Sequence, residues 1–300
     1  PKAGIRQAKR PAFNVALLAG GECLSKLLTF AAFSYFARSV GPDAYGAVEF
    51  AIAVMVFFTL PADLGLGAYG AREIARNAGN PFDLFREIMG MRVVLAVLSF
   101  AALMLFIFSI DKSAETKLVM TVYGFTLLAG PALAQWFFQA HDAMHWVASA
   151  SIVRQFTFAS LIFLFFRKGS PILLVGICEV ASVVTTALFC LIVARRRLSV
   201  PVLLPSLNFK ALSVHLRQAV PIGLTEVAWA FMWYFATVLL GLIYQDASLG
   251  WFGASHRVTM ALHTFVWLYF FNLLPSLSRC VGLDTEYLLG LANRSMRLAA

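Results

Sequence analysis

Charged side chains are scarce in this sequence. Only 13% of the 300 residues are Asp, Glu, Lys or Arg, whereas about 25% is usual for soluble domains. So few charges cannot cover the water-facing surface of a chain this long, which excludes an ordinary soluble enzyme. The same composition excludes a disordered chain and a coiled coil. The 60% of hydrophobic residues instead indicates a membrane protein with several spans.

Cysteines and catalytic motifs are also few. The four cysteines form no C-x-x-C motif, and three of them lie inside apolar runs. They are therefore predicted to be small apolar side chains, not disulfides or metal ligands. The sequence contains no G-x-S-x-G, no P-loop and no kinase signature. We expect neither an enzyme nor a bound cofactor or metal.

Long hydrophobic runs are what the chain does contain. About 20 apolar residues suffice for a helix that crosses a bilayer, and helices satisfy their own backbone groups in lipid. The pattern predicts an all-α polytopic membrane protein with eight transmembrane helices. The eight runs are Phe13–Phe36, Ala47–Gly70, Val93–Ile110, Leu118–Ala140, Trp146–Phe166, Pro171–Ala194, Ala219–Tyr244 and Gly250–Leu274.

The basic residues predict the orientation of these spans. If the N-terminus is cytoplasmic, 16 of the 24 Lys and Arg residues flank the spans on the cytoplasmic side and five lie outside. Lys26, Arg154 and Arg257 lie inside spans. The positive-inside rule therefore predicts that the N-terminus is cytoplasmic. The net charge of +9 is explained by topology and lipid contact, so no nucleic-acid partner is expected.

A boundary is predicted after the sixth run, where Arg195, Arg196 and Arg197 precede Pro201 and Pro205. An internal repeat supports this boundary, because Glu22 and Gly46 have counterparts in Glu226 and Gly250 at the same sequence separation. The predicted divisions are a basic cytoplasmic segment (1–12), a first lobe with six spans (13–196), a cytoplasmic linker (197–218) and the start of a second lobe with spans seven and eight (219–300).

Ionisable and aromatic side chains at bilayer depth are the candidate site residues, because such groups are costly there unless paired or facing water. The cations Lys26, Arg154 and Arg257 are candidate substrate ligands, and Arg154 could bind phosphate. Trp229 and Trp233 are candidate stacking surfaces for sugar rings. The candidates for ion coupling or for charge pairing are Glu22, Glu179, Glu226 and Asp63.

Simpler interpretations of the same residues stay open. Glu22 and Lys26 could neutralise each other at i, i+4 on one helix face. Arg154 could merely pair with Glu179 or another carboxylate, and the tryptophans could serve ordinary packing. Pro131, in the middle of the fourth run, predicts a helix kink.

Four segments carry a family resemblance. Residues 37–46 (ARSVGPDAYG) resemble the AR-x-LGP-x-x-YG signature of polysaccharide flippases. Residues 62–66 (ADLGL) and 71–76 (AREIAR) resemble the DLGL and REIA segments of the same family. The further similar segments are QWFFQA at 135–140 with Met144, and PSLSR at 275–279. The chain is identified as similar to the polysaccharide-transport branch of the multidrug/oligosaccharidyl-lipid/polysaccharide exporter superfamily.

The resemblance implies a MATE-like fold of two lobes with 12 to 14 spans in a bacterial or archaeal inner membrane, of which this chain holds an incomplete second lobe. It implies transport of lipid-linked oligosaccharide, usually on polyprenyl pyrophosphate, from the cytoplasmic to the outer leaflet. The products would be O-antigen, capsule or exopolysaccharide. Coupling to H⁺ or Na⁺ is implied, as are glycosyltransferase and polymerase partners. Gly41, Pro42 and Gly46 would be turn residues.

Two alternatives remain from the sequence. A multidrug cation antiporter of the same superfamily would explain why five intramembrane acids outnumber three bases. A membrane enzyme of polysaccharide assembly would need a large catalytic loop, and the longest loop predicted here, residues 195–218, offers only His215 as a base.

Overall fold

The computed structural model describes residues 2–76, 80–198, 200, 204–206, 209–244 and 247–263, and its regular elements there are all helical. The expected all-α architecture is therefore confirmed. The helices are α1 (Lys2–Val40), α2 (Pro42–Asp63), α3 (Leu66–Ala75), α4 (Pro81–Ser109), α5 (Ala114–Ala129), α6 (Gln135–Ala140), α7 (Met144–Phe165), α8 (Leu173–Arg197), α9 (Phe209–Ile243) and α10 (247–263).

Six helical stretches of the described chain are long and apolar enough to cross a membrane. They lie in α2, α4, α5–α6, α7, α8 and α9. The count of eight spans is not confirmed. The first predicted span lies in α1, which contains Glu22, Lys26 and Arg38 and is not among the six. The last predicted span runs past residue 263, outside the described residues.

The second predicted span is not one helix, which corrects the expectation for Ala47–Gly70. Helix α2 ends at Asp63, and α3 begins at Leu66. Between them Leu64 has a φ of 49° and Gly65 a φ of 76°. Two successive left-handed residues cannot continue a right-handed helix. The apolar run concealed this break because hydropathy does not report backbone handedness.

Gly65 offers a test of the break. A Cβ at this position would lie 2.6 Å from the carbonyl oxygen of Ala219, against α9. We expect Gly65→Ala to lower stability by at least about 2 kcal/mol, from the left-handed φ and the overlap together. Thermal unfolding of the purified protein measures this. Gly20→Ala is the matched control, because a Cβ there meets no atom within 4 Å, and equal melting of the two variants would contradict the account.

The predicted kink in the fourth span is present. Helix α5 ends at Ala129, a single 3₁₀ turn spans Gly130–Ala132, and α6 resumes at Gln135. Pro131 lacks the backbone N–H that an α-helix needs at this point. The kink therefore leaves backbone carbonyls, including that of Leu133, available to side chains of neighbouring helices.

Helices α4 and α9 begin well before the spans predicted for them. Asn80 caps α4 by accepting a hydrogen bond from the backbone N–H of Phe82, and Pro81 occupies the first turn. Helix α4 thus begins at Pro81, ahead of the predicted third span, Val93–Ile110. Likewise α9 begins at Phe209, inside the predicted linker 197–218. The division into lobes itself stays a prediction.

The turn before α2 is built on Gly41 and Pro42, as the motif implied. Gly41 has a φ of 81°, which L-residues with side chains rarely adopt, and Pro42 begins the helix. Gly46 is not a turn residue, which corrects the third motif position. It lies within α2 and is buried, because the helix is already established one turn earlier.

Helix α1 and the five membrane-length segments of residues 42–197 form a bundle. Helix α1 packs on α7, α7 on α8, α8 on α5, and α5 on α4 and α2. The contact between α1 and α2, which closes the ring, is small. The bundle thus surrounds a central space, which holds the polar residues described below.

Helix α9 lies against the outside of this bundle, along α2. Gly223 contacts the Leu64–Gly65 break at one end, and Gly241 contacts the ring of Phe50 towards the other. His215 lies 2.8 Å from the hydroxyl of Tyr69 and 3.2 Å from Oε2 of Glu87. Small residues permit close helix approach in membranes, so α2 and α9 form a continuous contact.

Candidate functional site: a divided central cavity

Arg154 on α7 lines three separate cavities inside the bundle. Their volumes are 190, 110 and 370 Å³, and they are called here the polar, the middle and the apolar cavity. Thr29 and Gln155 line both the polar and the apolar cavity, and Leu133 lines both the polar and the middle one. Because their walls are shared, the three form one divided central cavity around Arg154.

The polar cavity lies between α1 and α7, with walls from α6 and α8. The Ser151 hydroxyl donates to Oε1 of Glu22 at 3.1 Å, and the Thr29 hydroxyl lies 2.8 Å from Oε1 of Gln155. Ser25 is 4% exposed, and its buried Oγ has no partner among the described residues. The polar residues that line this cavity are Glu22, Ser25, Lys26, Thr29, Gln135, Ser151, Arg154, Gln155 and Thr186.

Arg154 pairs with Glu179 of α8. Nη2 of the arginine lies 2.6 Å from Oε1 of the carboxylate, which realises one of the simpler interpretations left open by the sequence. The side chain of Arg154 is 39% exposed and that of Glu179 only 18%. Both members line the apolar cavity, and the arginine is the more exposed of the two.

The apolar cavity is lined mainly by hydrophobic side chains. They come from α1, α2 and α7 and are Phe33, Ile52, Met55, Val56, Leu60 and Phe158. Its charged lining residues are Arg154, Glu179 and Arg257. It is the largest of the three cavities, and its lining includes residues of α1 and α2, the two helices that make the smallest contact in the ring.

Arg257 is held more tightly than Arg154. Its guanidinium pairs with Glu49 of α2 and lies over the ring of Phe33, with Cζ 3.4 Å from the ring centroid. The Glu49 side chain is only 8% exposed, and Gly253 of α10 packs against it. Arg257 thus joins α10 to α2 and α1, and most of its interactions are already satisfied.

Arg92 is a cavity residue that sequence reasoning missed. It was counted among the cytoplasmic flanks because it precedes the third hydrophobic run. In the structure its Nε lies 2.7 Å from Oδ1 of Asp63, and its Nη1 donates to the carbonyl oxygen of Leu133 at 3.2 Å. It lines the middle cavity with Arg154. The sequence does show an acid, Asp63, and a base, Arg92, on successive spans. It does not show that these two side chains face each other.

The other predicted residues are placed as follows. Lys26 is exposed and lines the polar cavity, and no ion pair joins it to Glu22 within the described chain. Glu226 is exposed on α9. Trp229 is half exposed, and Trp233 lies 4.5 Å from the His263 ring, centroid to centroid. Neither tryptophan lines the three cavities.

Within the described residues, no group of three His, Cys, Asp or Glu side chains is arranged to hold a metal ion.

Comparisons with known proteins agree with this architecture. A sequence model of the family described as "Polysaccharide biosynthesis protein" matches residues 12–281. The chain is similar to the "Putative O-antigen transporter" of Escherichia coli (strain K12), with 22% identity over 174 residues. That match covers 57% of this chain and 41% of the relative, so the aligned part is less than half of that protein.

Solved structures with the same fold are transporters. The MATE multidrug transporter DinF-BH, in complex with R6G, superimposes with a TM-score of 0.66 at 18% identity, covering 97% of this chain and 69% of that one. A MOP superfamily transporter from Pyrococcus furiosus superimposes with a TM-score of 0.56 at 14% identity, covering 89% of this chain and 71% of that one. The chain is thus a multi-pass membrane protein with the MATE transporter fold, and it belongs to the polysaccharide biosynthesis protein family.

Proposed function

We propose that the chain is part of a flippase that moves a lipid-linked oligosaccharide across a bacterial or archaeal inner membrane. The observation that carries this proposal is the position of Arg154, at the meeting point of a polar, a middle and an apolar cavity. The family match and the name of the Escherichia coli relative support the same function.

The divided cavity suits an amphipathic anion. Hydroxyls and amides line the polar cavity, and such groups bind the hydroxyls of a sugar. An arginine binds phosphate through two parallel N–H donors. Aliphatic and aromatic side chains line the apolar cavity, where the first units of a polyprenyl chain can lie. A glycan, a pyrophosphate and a lipid tail would each meet matching chemistry.

Direction and coupling belong to the proposal too. With the N-terminus in the cytoplasm, as the basic residues predict, the substrate is loaded from the cytoplasmic leaflet and released to the outer one by alternating access. Glu22 and Glu226 are the acids for coupling to H⁺ or Na⁺, because the structure pairs neither with an arginine in the described chain. Membrane lipids, glycosyltransferases and a polymerase are the proposed partners.

Export of cationic drugs is the rival function. It needs accessible carboxylates in the cavity. Three of the intramembrane acids, Glu49, Asp63 and Glu179, are instead held by Arg257, Arg92 and Arg154. Glu22 of the polar cavity has no arginine partner in the described chain, but the linings of the three cavities together hold four cations and three acids. The polarity of the site thus favours an anionic substrate.

Reconstitution tests the proposed function. The full-length protein is placed in liposomes with a fluorescent polyprenyl-pyrophosphate oligosaccharide, and a membrane-impermeant reductant destroys the label in the outer leaflet. We expect the protected inner-leaflet fraction to become accessible with protein and to stay protected in empty liposomes. A cationic dye such as rhodamine 6G is the parallel substrate. Export of the dye without movement of the lipid would favour the antiporter.

A further inference from the structure

Two arginines line the smallest of the three cavities. The middle cavity, of 110 Å³, lies at the α5–α6 kink, with Arg92 of α4 in one wall and Arg154 of α7 in another. Each guanidinium is held by one carboxylate, Arg92 by Asp63 and Arg154 by Glu179. Asp63 also lines this cavity, whereas Glu179 lines the neighbouring apolar cavity.

The carboxylates do not use all the donors of the arginines. A guanidinium has five N–H groups. Arg92 donates one to the carbonyl oxygen of Leu133, and its contact with Oδ1 of Asp63 is an ion pair without hydrogen-bond geometry. Nε of Arg154 is buried and has no acceptor within the described chain. Because that nitrogen has almost no accessible surface, the donors left for an oxygen ligand are the unused N–H groups on the terminal nitrogens of the two guanidinium groups.

The hydroxyls in the wall do not provide competing donors. Thr59 and Thr126 line the middle cavity, but their hydroxyls already donate to the backbone carbonyls of Met55 and Tyr123. The two guanidinium groups are therefore the donors that the cavity offers. Two guanidinium groups around one small cavity match a ligand with two neighbouring anionic groups.

We propose that Arg92 and Arg154 together bind the two phosphates of a diphosphate in the middle cavity. Each arginine exchanges its carboxylate for a phosphate, so that Asp63 and Glu179 are released when the ligand binds. The proposal rests on the proposed function for the origin of the diphosphate. It adds a second anion-binding residue, Arg92, and a selectivity for diphosphate over monophosphate.

Carboxylate exchange predicts the direction in which each substitution changes the affinity for the ligand. Asp63 competes with the ligand for Arg92, so removing its charge leaves the arginine free for phosphate. Asp63→Asn should therefore tighten binding, whereas Arg92→Gln should weaken it. A merely structural ion pair between α2 and α4 makes no such prediction, because loss of either partner would then only loosen the fold.

The experiment is a calorimetric titration of the purified full-length protein with inorganic pyrophosphate and, separately, with orthophosphate at the same ionic strength. We expect wild-type protein to bind pyrophosphate at least tenfold more tightly than orthophosphate. Arg92→Gln and Arg154→Gln should each reduce that ratio to near one. Asp63→Asn should tighten pyrophosphate binding severalfold. Arg72→Gln is the charge-matched control, because Arg72 pairs with Glu73 outside the cavities, and it should bind as wild type does.

Two results would overturn the inference. One is an equal affinity of wild-type protein for pyrophosphate and orthophosphate. The other is unchanged pyrophosphate affinity in Arg92→Gln with wild-type thermal unfolding. The gain of affinity in Asp63→Asn cannot come from misfolding, so its absence also counts against carboxylate exchange. The liposome assay is independent: a protein with the expected binding pattern that moves no lipid would refute the flippase and leave the diphosphate site standing.

Discussion

Cells that carry Arg154→Gln in the full-length protein should lose their surface polysaccharide while keeping normal amounts of the protein in the membrane. The glutamine keeps much of the volume and hydrogen-bonding capacity of the side chain but removes the fixed charge that faces all three cavities. A hydrogen bond to a charged group contributes about 1.5–3 kcal/mol. Loss of two such bonds to a phosphate is expected to reduce transport by at least about a hundredfold, below what the polysaccharide stain detects.

Arg167→Gln is the matched control for this result. Arg167 lies just beyond the end of α7 and is exposed to the surroundings, so the same loss of charge should leave the polysaccharide unchanged. Glu179→Gln is a second variant for the same assay, because it keeps Arg154 but removes the carboxylate that pairs with it. We expect this variant to retain polysaccharide. Wild-type polysaccharide in Arg154→Gln cells would refute the role of Arg154 in substrate binding.

The second large effect is on stability and concerns Arg257. Removing this side chain leaves the buried carboxylate of Glu49 without its partner. Breaking one partner of a buried ion pair costs about 3–5 kcal/mol, because the remaining charge is then desolvated without compensation. Arg257→Ala also removes the contact with the ring of Phe33. We expect the purified protein to unfold at a clearly lower temperature and to accumulate less in cells.

A double variant separates charge burial from packing. In Glu49→Gln/Arg257→Gln no buried charge remains, so most of the lost stability should return. Arg76→Ala is the surface control, because the Arg76 side chain is 64% exposed in its pair with Glu73, and such a surface pair contributes at most about 1 kcal/mol. Equal destabilisation by the single Arg257 variant and the double variant would show that the ion pair is not what holds α10 to α2.

Most of the helices could be predicted from hydrophobic runs, because burial in lipid and intrahelical hydrogen bonding leave few other structures for such segments. The kink at Pro131 and the turn at Gly41 and Pro42 were predictable from the backbone restrictions of proline and glycine. The break at Leu64–Gly65 was not, because Leu64 has no intrinsic preference for a left-handed conformation. The contact of Gly65 with α9 is a tertiary interaction that the local sequence does not encode.

Some of the residues that line the cavity could be predicted from the sequence, but the pairing of its acids and bases could not. The face of α1 that carries Glu22, Ser25 and Thr29 follows from helical periodicity, and the structure places these residues together in the polar cavity. Which acid meets which base depends on helix rotation and depth. The sequence offered Glu179 only as one of several partners for Arg154. It assigned Arg92 to the cytoplasmic flank of a span and not to the cavity.

The three arginine–carboxylate pairs also differ in when they can form during synthesis. Asp63 and Arg92, and likewise Arg154 and Glu179, lie on successive spanning segments. Each of these pairs can therefore close within a single helical hairpin as it leaves the translocon, which hides both charges from lipid early. Glu49 must wait for Arg257, which is 208 residues further along the chain. Until then the nascent protein holds one unpaired acid in α2, and a chaperone or an insertase has a defined interval in which to recognise it.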